Sequence, residues 1–351
     1  MTGAVHQLLP SYGAGDAIGG AVLGMQAVLR RAGWRSEVFA QHRDPRLEAR
    51  PAADLSGAVR EEDAVLYHHS IGSPVAETFA SCSGRKVVVY HNITPPEFYA
   101  GTSDEVAYWL ERGREQLRRL VPAADLVIGV SEFNLAECLP LGPRRTAVVP
   151  VPVDLARLRP RPAVPADPPR ILAVGRLAPN KRHDTLIRAV AALRATDLPG
   201  ARLVLVGGSH DTGGYVGRLR ALAASLSVEE AVEMPGTADD SRLGDEYALS
   251  SVLAVSSAHE GFCVPLLEAM AFGVPVVALD AAAVPGTLGG AGLLLSDRDP
   301  LLWAAALSRV ISDPALREEL ATRGRRRIED FSPERMEAAL LAALAGAGIS
   351  L

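Results

Sequence analysis

The stretch Val252-Leu253-Ala254-Val255-Ser256-Ser257-Ala258-His259-Glu260-Gly261-Phe262-Cys263-Val264-Pro265-Leu266-Leu267-Glu268-Ala269-Met270-Ala271-Phe272-Gly273-Val274-Pro275-Val276-Val277 decides the fold. Residues 252–255 form a short apolar run of the length of a buried strand. Pro265 suits the first turn of a helix, where its missing N–H costs nothing, and the spacing predicts a helix over 265–272. A second apolar run over 275–279 predicts the next strand. Strand, loop, helix and strand in so few residues is the unit from which parallel sheets covered on both faces are built.

The same alternation extends in both directions. Upstream, residues 5–9, 36–40, 64–67, 86–90, 126–130 and 147–151 read as short buried strands, and 17–32 as a helix. Around the opening stretch, strands are expected at 170–174, 203–206, 231–234 and 293–295, with helices at 184–194, 215–226, 300–312 and 315–328. Prolines 150, 152, 160, 162, 165, 168 and 169 forbid helix and central strand, so they mark an extended connector. The expected fold class is therefore α/β, with two doubly wound parallel-sheet domains facing across a cleft. Their bounds are 1–153 and 169–330, joined by a linker over 154–168, with a terminal helical segment over 331–351. Ligands of open parallel sheets bind beyond the carboxyl ends of the strands, so the residues that follow each strand are the candidates for chemistry.

The 351-residue length agrees with two domains. With 48% hydrophobic and 22% charged residues, the composition is that of a folded globular chain. A net charge of −5 and an aromatic content of 5% give neither the basic field nor the stacking platform of a nucleic-acid binder. Cys82, Cys138 and Cys263 are odd in number and widely spaced, which suits a reducing cytoplasm and offers no metal pair. The N-terminal residues lack the layout of a signal peptide, and no stretch is apolar enough to span a bilayer. A cytoplasmic location is expected, with peripheral membrane contact left open.

Glu260 falls in the loop before the expected helix and Glu268 in its first turns, on either side of a helix N-terminus that can cradle an anion. Two carboxylates flanking such a cradle suit a ligand that carries hydroxyls around a diphosphate. The alternative is that both glutamates simply favour a positive helix end. Directly after strand 170–174 stands Gly175-Arg176-Leu177-Ala178-Pro179-Asn180-Lys181, whose guanidinium fork and mobile ammonium together make a diphosphate clamp. Lys181 is one of only two lysines, the other being Lys86. Between the first strand and first helix, Gly13, Gly15 and Gly19 form a loop that a phosphate or sugar could approach. The acid that a dinucleotide-binding fold places at the end of its second strand is missing, since Glu37 falls near that strand's start. His91 follows strand 86–90 and can hydrogen-bond a substrate hydroxyl or phosphate; His68 and His69 end another strand. No zincin helix, P-loop or nucleophile elbow is present.

These residues in this order resemble glycosyltransferase family 4, retaining enzymes of the GT-B fold. The resemblance is clearest over 169–330, in Gly175-Arg176-Leu177…Lys181, Val206-Gly207-Gly208 and Glu260…Glu268-Ala269-Met270-Ala271…Gly273-Val274-Pro275-Val276-Val277. Gly129-Val130-Ser131-Glu132 and His91-Asn92 extend it into the first half more loosely. The resemblance implies that Arg176 and Lys181 bind the diphosphate of a UDP- or GDP-sugar and that Glu268 holds the ribose. It places Glu260 facing the transferred sugar, with Gly261, Phe262, Cys263 and Val264 lending backbone contacts. It also puts His91 near the reacting centre, Gly13 and Gly15 near the donor phosphates, and the helix after Phe331-Ser332-Pro333 back against the first domain.

Three residues depart from the family pattern. Cys263 and Arg182 stand where glycine is frequent, and Gly286 where glutamate is common. The implied activity is metal-independent transfer of a hexose-type sugar to a hydroxyl acceptor, without a cofactor. The acceptor is unknown; its site is expected in loops 10–20, 68–74 and 91–101, with Asp16, His69 and Asn92 as acceptor-side candidates. A nucleotide-sugar epimerase on the same fold and a non-catalytic nucleotide-sugar-binding protein are the alternatives.

Overall fold

A computed structural model describes residues 3–13, 15–210 and 212–350, so Ala14 of the glycine loop lies outside the described residues. The chain divides into two compact units. The first comprises Met1–Pro96, Glu105–Asp154 and Phe331–Leu351, and the second Glu97–Asp104 and Leu155–Asp330.

In the first unit the strands are β1 (Val5–Tyr12), β2 (Val38–Arg43), β3 (Arg50–Pro51), β4 (Ala64–His69), β5 (Arg85–Tyr90), β6 (Leu126–Gly129) and β7 (Thr146–Val148). They form one parallel sheet in the order β3-β2-β1-β4-β5-β6-β7. In the second unit β8 (Arg170–Val174), β9 (Arg202–Val206), β10 (Val232–Gly236), β11 (Val252–Val255), β12 (Val276–Leu279) and β13 (Leu293–Leu295) pair in the order β10-β9-β8-β11-β12-β13, again all parallel. Both orders reverse direction once, at β1/β4 and at β8/β11, which is the pattern of a doubly wound sheet. The two doubly wound parallel α/β domains expected from the sequence are those found. The central strands β4, β6, β11 and β12 are buried along their whole length, as apolar runs covered on both faces should be. In the second unit Leu186, Val190 and Leu193 of the helix His183–Thr196 and Trp303 and Leu307 of the helix Pro300–Ser312 share one core.

Several stretches differ from expectation, among them the strand expected at 147–151, found at Thr146–Val148, and two of the differences bear on packing. β2 starts later than the apolar run and continues through exposed Gln41, His42 and Arg43, because the ladder with β1 pairs Ser11 with His42 and Tyr12 with Arg43. Backbone pairing, and not side-chain polarity, sets that end. Part of the proline-rich stretch expected as a linker is docked on the second unit. Ala163 N–H donates to Phe272 C=O at 3.0 Å, Val164 N–H to Ala248 C=O at 2.8 Å and Ala166 N–H to Leu249 C=O at 3.0 Å. These carbonyls lie at the ends of the helices Val264–Phe272 and Asp240–Leu249, where the last C=O groups lack a donor within the helix.

Candidate active site

The topology of the second sheet places the loops after β8 and β11 side by side at the reversal point. Those loops carry Arg176 and Lys181 on one side and Glu260 to Val264 on the other. Backbone bonds knit them together: Ala258 N–H donates to Asn180 C=O at 2.8 Å, and the buried Asn180 amide donates to His259 C=O at 3.2 Å. The β8 loop is also pinned to the next strand's end, with Gly175 N–H on Val206 C=O at 2.9 Å and Leu177 N–H on Gly208 C=O at 2.7 Å. A side chain at Gly207 would put its Cβ 1.9 Å from the Gly175 carbonyl oxygen, so this approach requires glycine.

Lys181 and Glu260 meet as an ion pair at 2.5 Å, with their side chains 19% and 12% exposed. Burial pulls the ammonium down, but the adjacent Glu260 carboxylate outweighs it, and the Lys181 pKa ends above its ordinary value. The neighbouring Cys263 thiol is pushed well up by burial and then by Glu260, so it is a neutral thiol at physiological pH.

Glu268 is buried at the start of the second turn of the helix Val264–Phe272. One carboxylate oxygen is ion-paired with Arg157, and the other accepts from the Tyr247 hydroxyl at 2.8 Å. Burial raises the Glu268 pKa, while Tyr247 and Arg157 oppose the shift. Arg157, which also pairs with Asp240, was missed by sequence reasoning. It lies in the proline-rich stretch, 111 residues from its partner, and nothing local marks it.

Cys263 has φ 72° and Arg182 has φ 54°. The resemblance implies glycine at both positions, and both sit in the left-handed region that favours glycine. At the third departure, Gly286, an added Cβ meets open space, and the Gly286 carbonyl accepts from Arg327. The adjacent Thr287 hydroxyl donates to Phe262 C=O at 2.6 Å and so holds the loop before the helix.

Arg176 is exposed, and its Nη2 donates to the Tyr99 hydroxyl at 2.7 Å. Tyr99 is fully buried and belongs to Glu97–Asp104, the segment of the first half that clusters with the second unit. Part of the loop 91–101, expected on the acceptor side, thus holds Arg176, the residue expected in the diphosphate clamp. A cavity of about 660 Å³ in the second unit is lined by Glu97, Phe98, Pro179, Arg182, Asp280 and Asp297 among others; Arg176, Lys181 and Glu260 are not among its lining residues.

In the first unit His91 follows β5, and its Nε2 lies 2.8 Å from Nδ1 of the fully buried His68. His69 is also fully buried and spends both ring nitrogens internally, on Gly113 C=O at 2.9 Å and the Tyr67 hydroxyl at 3.3 Å. Asn92 has φ 79°, and its buried amide donates to Asn134 at 3.1 Å and Glu137 at 3.0 Å. Two of the three acceptor-side candidates, His69 and Asn92, thus have structural work. Asp16 caps the helix Ala17–Arg31, accepting from Gly19 N–H at 2.7 Å. Gly15 turns the glycine loop at φ 86°, and a Cβ at Gly19 would lie 2.2 Å from Gly13 C=O, which holds this loop close to its helix. Burial pushes His91 down to about 3 and His69 to about 4, and it lowers His68 well below 6.5. All three rings are neutral at physiological pH.

Among the described residues no group of three or more His, Cys, Asp or Glu could hold a metal ion, and no helix is long and apolar enough to cross a membrane. Residues 156–327 match the family of glycosyl transferases group 1. The chain is 36% identical over 243 residues to a D-inositol 3-phosphate glycosyltransferase of Kineococcus radiotolerans, covering 61% of this chain and 55% of that protein. It is 38% identical over 224 residues to the protein of the same name from Salinispora arenicola, covering 57% and 49%. The chain thus spans about half the length of the curated relatives it matches. Its fold is shared with sucrose-phosphate synthase of Thermosynechococcus elongatus, at TM-score 0.79 and 22% identity over 98% of both chains. It is shared too with HepE of Anabaena in complex with UDP-glucose, at TM-score 0.78 and 19% identity over 97% of this chain and 99% of that one. The fold is GT-B, and residues 156–327, which hold Arg176, Lys181, Glu260 and Glu268, are similar to the glycosyl transferases group 1 family.

Proposed function

We propose that this chain transfers a hexose-type sugar from a UDP- or GDP-sugar to a hydroxyl acceptor, with retention at the anomeric carbon and without a metal. The observation that carries the reading is the meeting of Arg176, Lys181 and the Glu260–Val264 loop beyond the ends of β8 and β11. Cleavage of a sugar–phosphate bond builds negative charge on the departing diphosphate. Fixed cations and helix N–H groups aimed at that charge lower the barrier. Cys263 gives the helix Val264–Phe272 no side-chain cap, so an anion can take a cap's place. Lys181 carries three N–H donors, enough to keep Glu260 and still reach a phosphate oxygen. Glu268 keeps spare lone pairs for ribose hydroxyls after serving Arg157 and Tyr247. In the retaining step the bond from the anomeric carbon to the diphosphate oxygen breaks as the acceptor oxygen bonds to that carbon. The acceptor's proton passes to the departing phosphate. The group 1 match, the relatives' names and the UDP-glucose complex of a structural neighbour all favour this reading.

Calorimetric titration with UDP and then GDP in EDTA tests it. One nucleotide should bind, and Lys181→Ala should weaken that binding by about 10- to 100-fold, the worth of a charge-assisted hydrogen bond. Binding of neither nucleotide, restored by magnesium, would overturn the metal-free clamp. An epimer formed from donor alone would favour the epimerase.

A further inference from the structure

His91 belongs to a chain of hydrogen bonds inside the first unit that decides which of its two nitrogens carries a proton. The chain begins at Val22 C=O, which accepts from the Gln7 amide nitrogen at 3.0 Å. This bond fixes the Gln7 side chain, because the flipped amide would set two oxygens against each other. Gln7 Oε1 then faces His68 Nε2 at 2.9 Å. An amide oxygen only accepts, so His68 Nε2 must carry the hydrogen. Neutral His68 then has a bare Nδ1, and that atom lies 2.8 Å from His91 Nε2. His91 must therefore donate from Nε2, and in its neutral form its Nδ1 is bare. A protonated His68 would donate on both sides and reverse His91, but its complete burial beside a second imidazole keeps it neutral. His91 Nδ1 has no hydrogen-bond partner among the described residues, and His91 is only partly buried, in contrast to Gln7 and His68.

We infer that Gln7 and His68 are positioning residues that hold His91 as the Nε2–H tautomer, so that its Nδ1 accepts a hydrogen bond from a ligand hydroxyl. A bare imidazole nitrogen repels phosphate oxygens, so His91 meets the sugar or acceptor end of a ligand and not its diphosphate. The ligand class rests on the nucleotide-sugar reading above; the tautomer does not.

Histidine-labelled protein and long-range proton–nitrogen correlation spectra at pH 7.5 test the assignment directly, with His91→Asn identifying the signals. Wild type should show Nδ1 bare and Nε2 protonated on both His68 and His91. A His91 signal of the opposite tautomer, or an average of the two, would overturn the inference, whether or not the Gln7 variants fold. In Gln7→Leu the His68 anchor is lost. His91 should then average between tautomers, and kcat for a nucleotide sugar should fall about three- to tenfold with KM little changed. Gln7→Glu in its protonated form repeats both bonds and should restore the wild-type spectrum and rate. A wild-type protein that turns over donor, beside a Gln7→Leu variant with unchanged spectrum and kcat, would sink the relay. A wild type that binds and turns over no nucleotide sugar would sink the function proposed above, whatever the spectra show of the tautomer.

Discussion

Replacing Arg157 by alanine asks whether its guanidinium keeps the Glu268 carboxylate charged inside the protein. The Glu268 side chain is 4% exposed, and Arg157 and Tyr247 are its side-chain partners. Without Arg157 the carboxylate has two courses. Remaining ionised beside one neutral donor costs about 3–5 kcal/mol. Taking a proton at pH 7, from an ordinary value of 4.5, costs about 3 kcal/mol at roughly 1.4 kcal/mol per unit. The cheaper course wins, so the loss is limited to about 3 kcal/mol; the exposed Asp240 partner adds little. The sign follows from Glu268 already lying above its unfolded value. A group raised in the fold favours the folded state at low pH and loses that advantage as pH rises. Removing Arg157 raises Glu268 further, so the gap between wild type and variant should widen with pH, from under about 1 kcal/mol near pH 5 to its full size at pH 7. The assay is a urea titration at both pH values, with hydrogen exchange of β11 and β12 reporting the second unit. Adding Glu268→Gln to Arg157→Ala should recover most of the loss at pH 7. An equal loss at pH 5 and pH 7, untouched by the second substitution, would refute the reasoning.

Other perturbations follow from the same geometry. Cys263→Gly should be at least as stable as wild type within about 1 kcal/mol, relief of the left-handed backbone offsetting the lost sulfur contacts, whereas Cys263→Ala keeps the strain and should be less stable; calorimetric melting that ranks alanine above glycine would contradict this. Tyr99→Phe removes the hydroxyl that holds Arg176, and donor turnover should drop about tenfold, equivalent to about 1.4 kcal/mol, with little change in melting temperature. Gly207→Ala forces β8 and β9 apart at their ends and should cost several kcal/mol, read as a fall in melting temperature or loss of folded protein. Because His69 titrates near 4 in the fold against 6.5 unfolded, the unfolded chain binds more protons between these values. The first unit should therefore lose stability as pH falls from 6.5 to 4, by about 3 kcal/mol from His69 alone; a flat melting profile over that range would count against its burial as a neutral ring.

Much of the sheets could be read from the sequence because strands such as β6, β11 and β12 are buried along their whole length and therefore appear as unbroken apolar runs. The post-strand loops were equally readable, since a parallel sheet delivers whatever follows each strand to the same edge, and Lys181 and Glu260 meet there. What escaped were relations between distant residues. Arg157 looks like one more arginine in a proline-rich stretch, and Tyr99 like one aromatic in a loop, because neither pattern nor period links them to Glu268 and Arg176. Chemistry-bearing residues can also mislead: His69 and Asn92 have the composition of a site, yet each side chain is spent on the fold. The two departures from the family's glycine are a middle case. Cys263 and Arg182 are visible as substitutions, but that each sits at positive φ emerges only from the backbone. Both flank Lys181 in space or sequence, so the strain of order 1–3 kcal/mol that each position can store is placed against the clamp. A chain selected for stability alone would keep glycine at both. Side chains at these two positions, where the resemblance implies glycine, are where the loops around Lys181 depart most from the expected pattern.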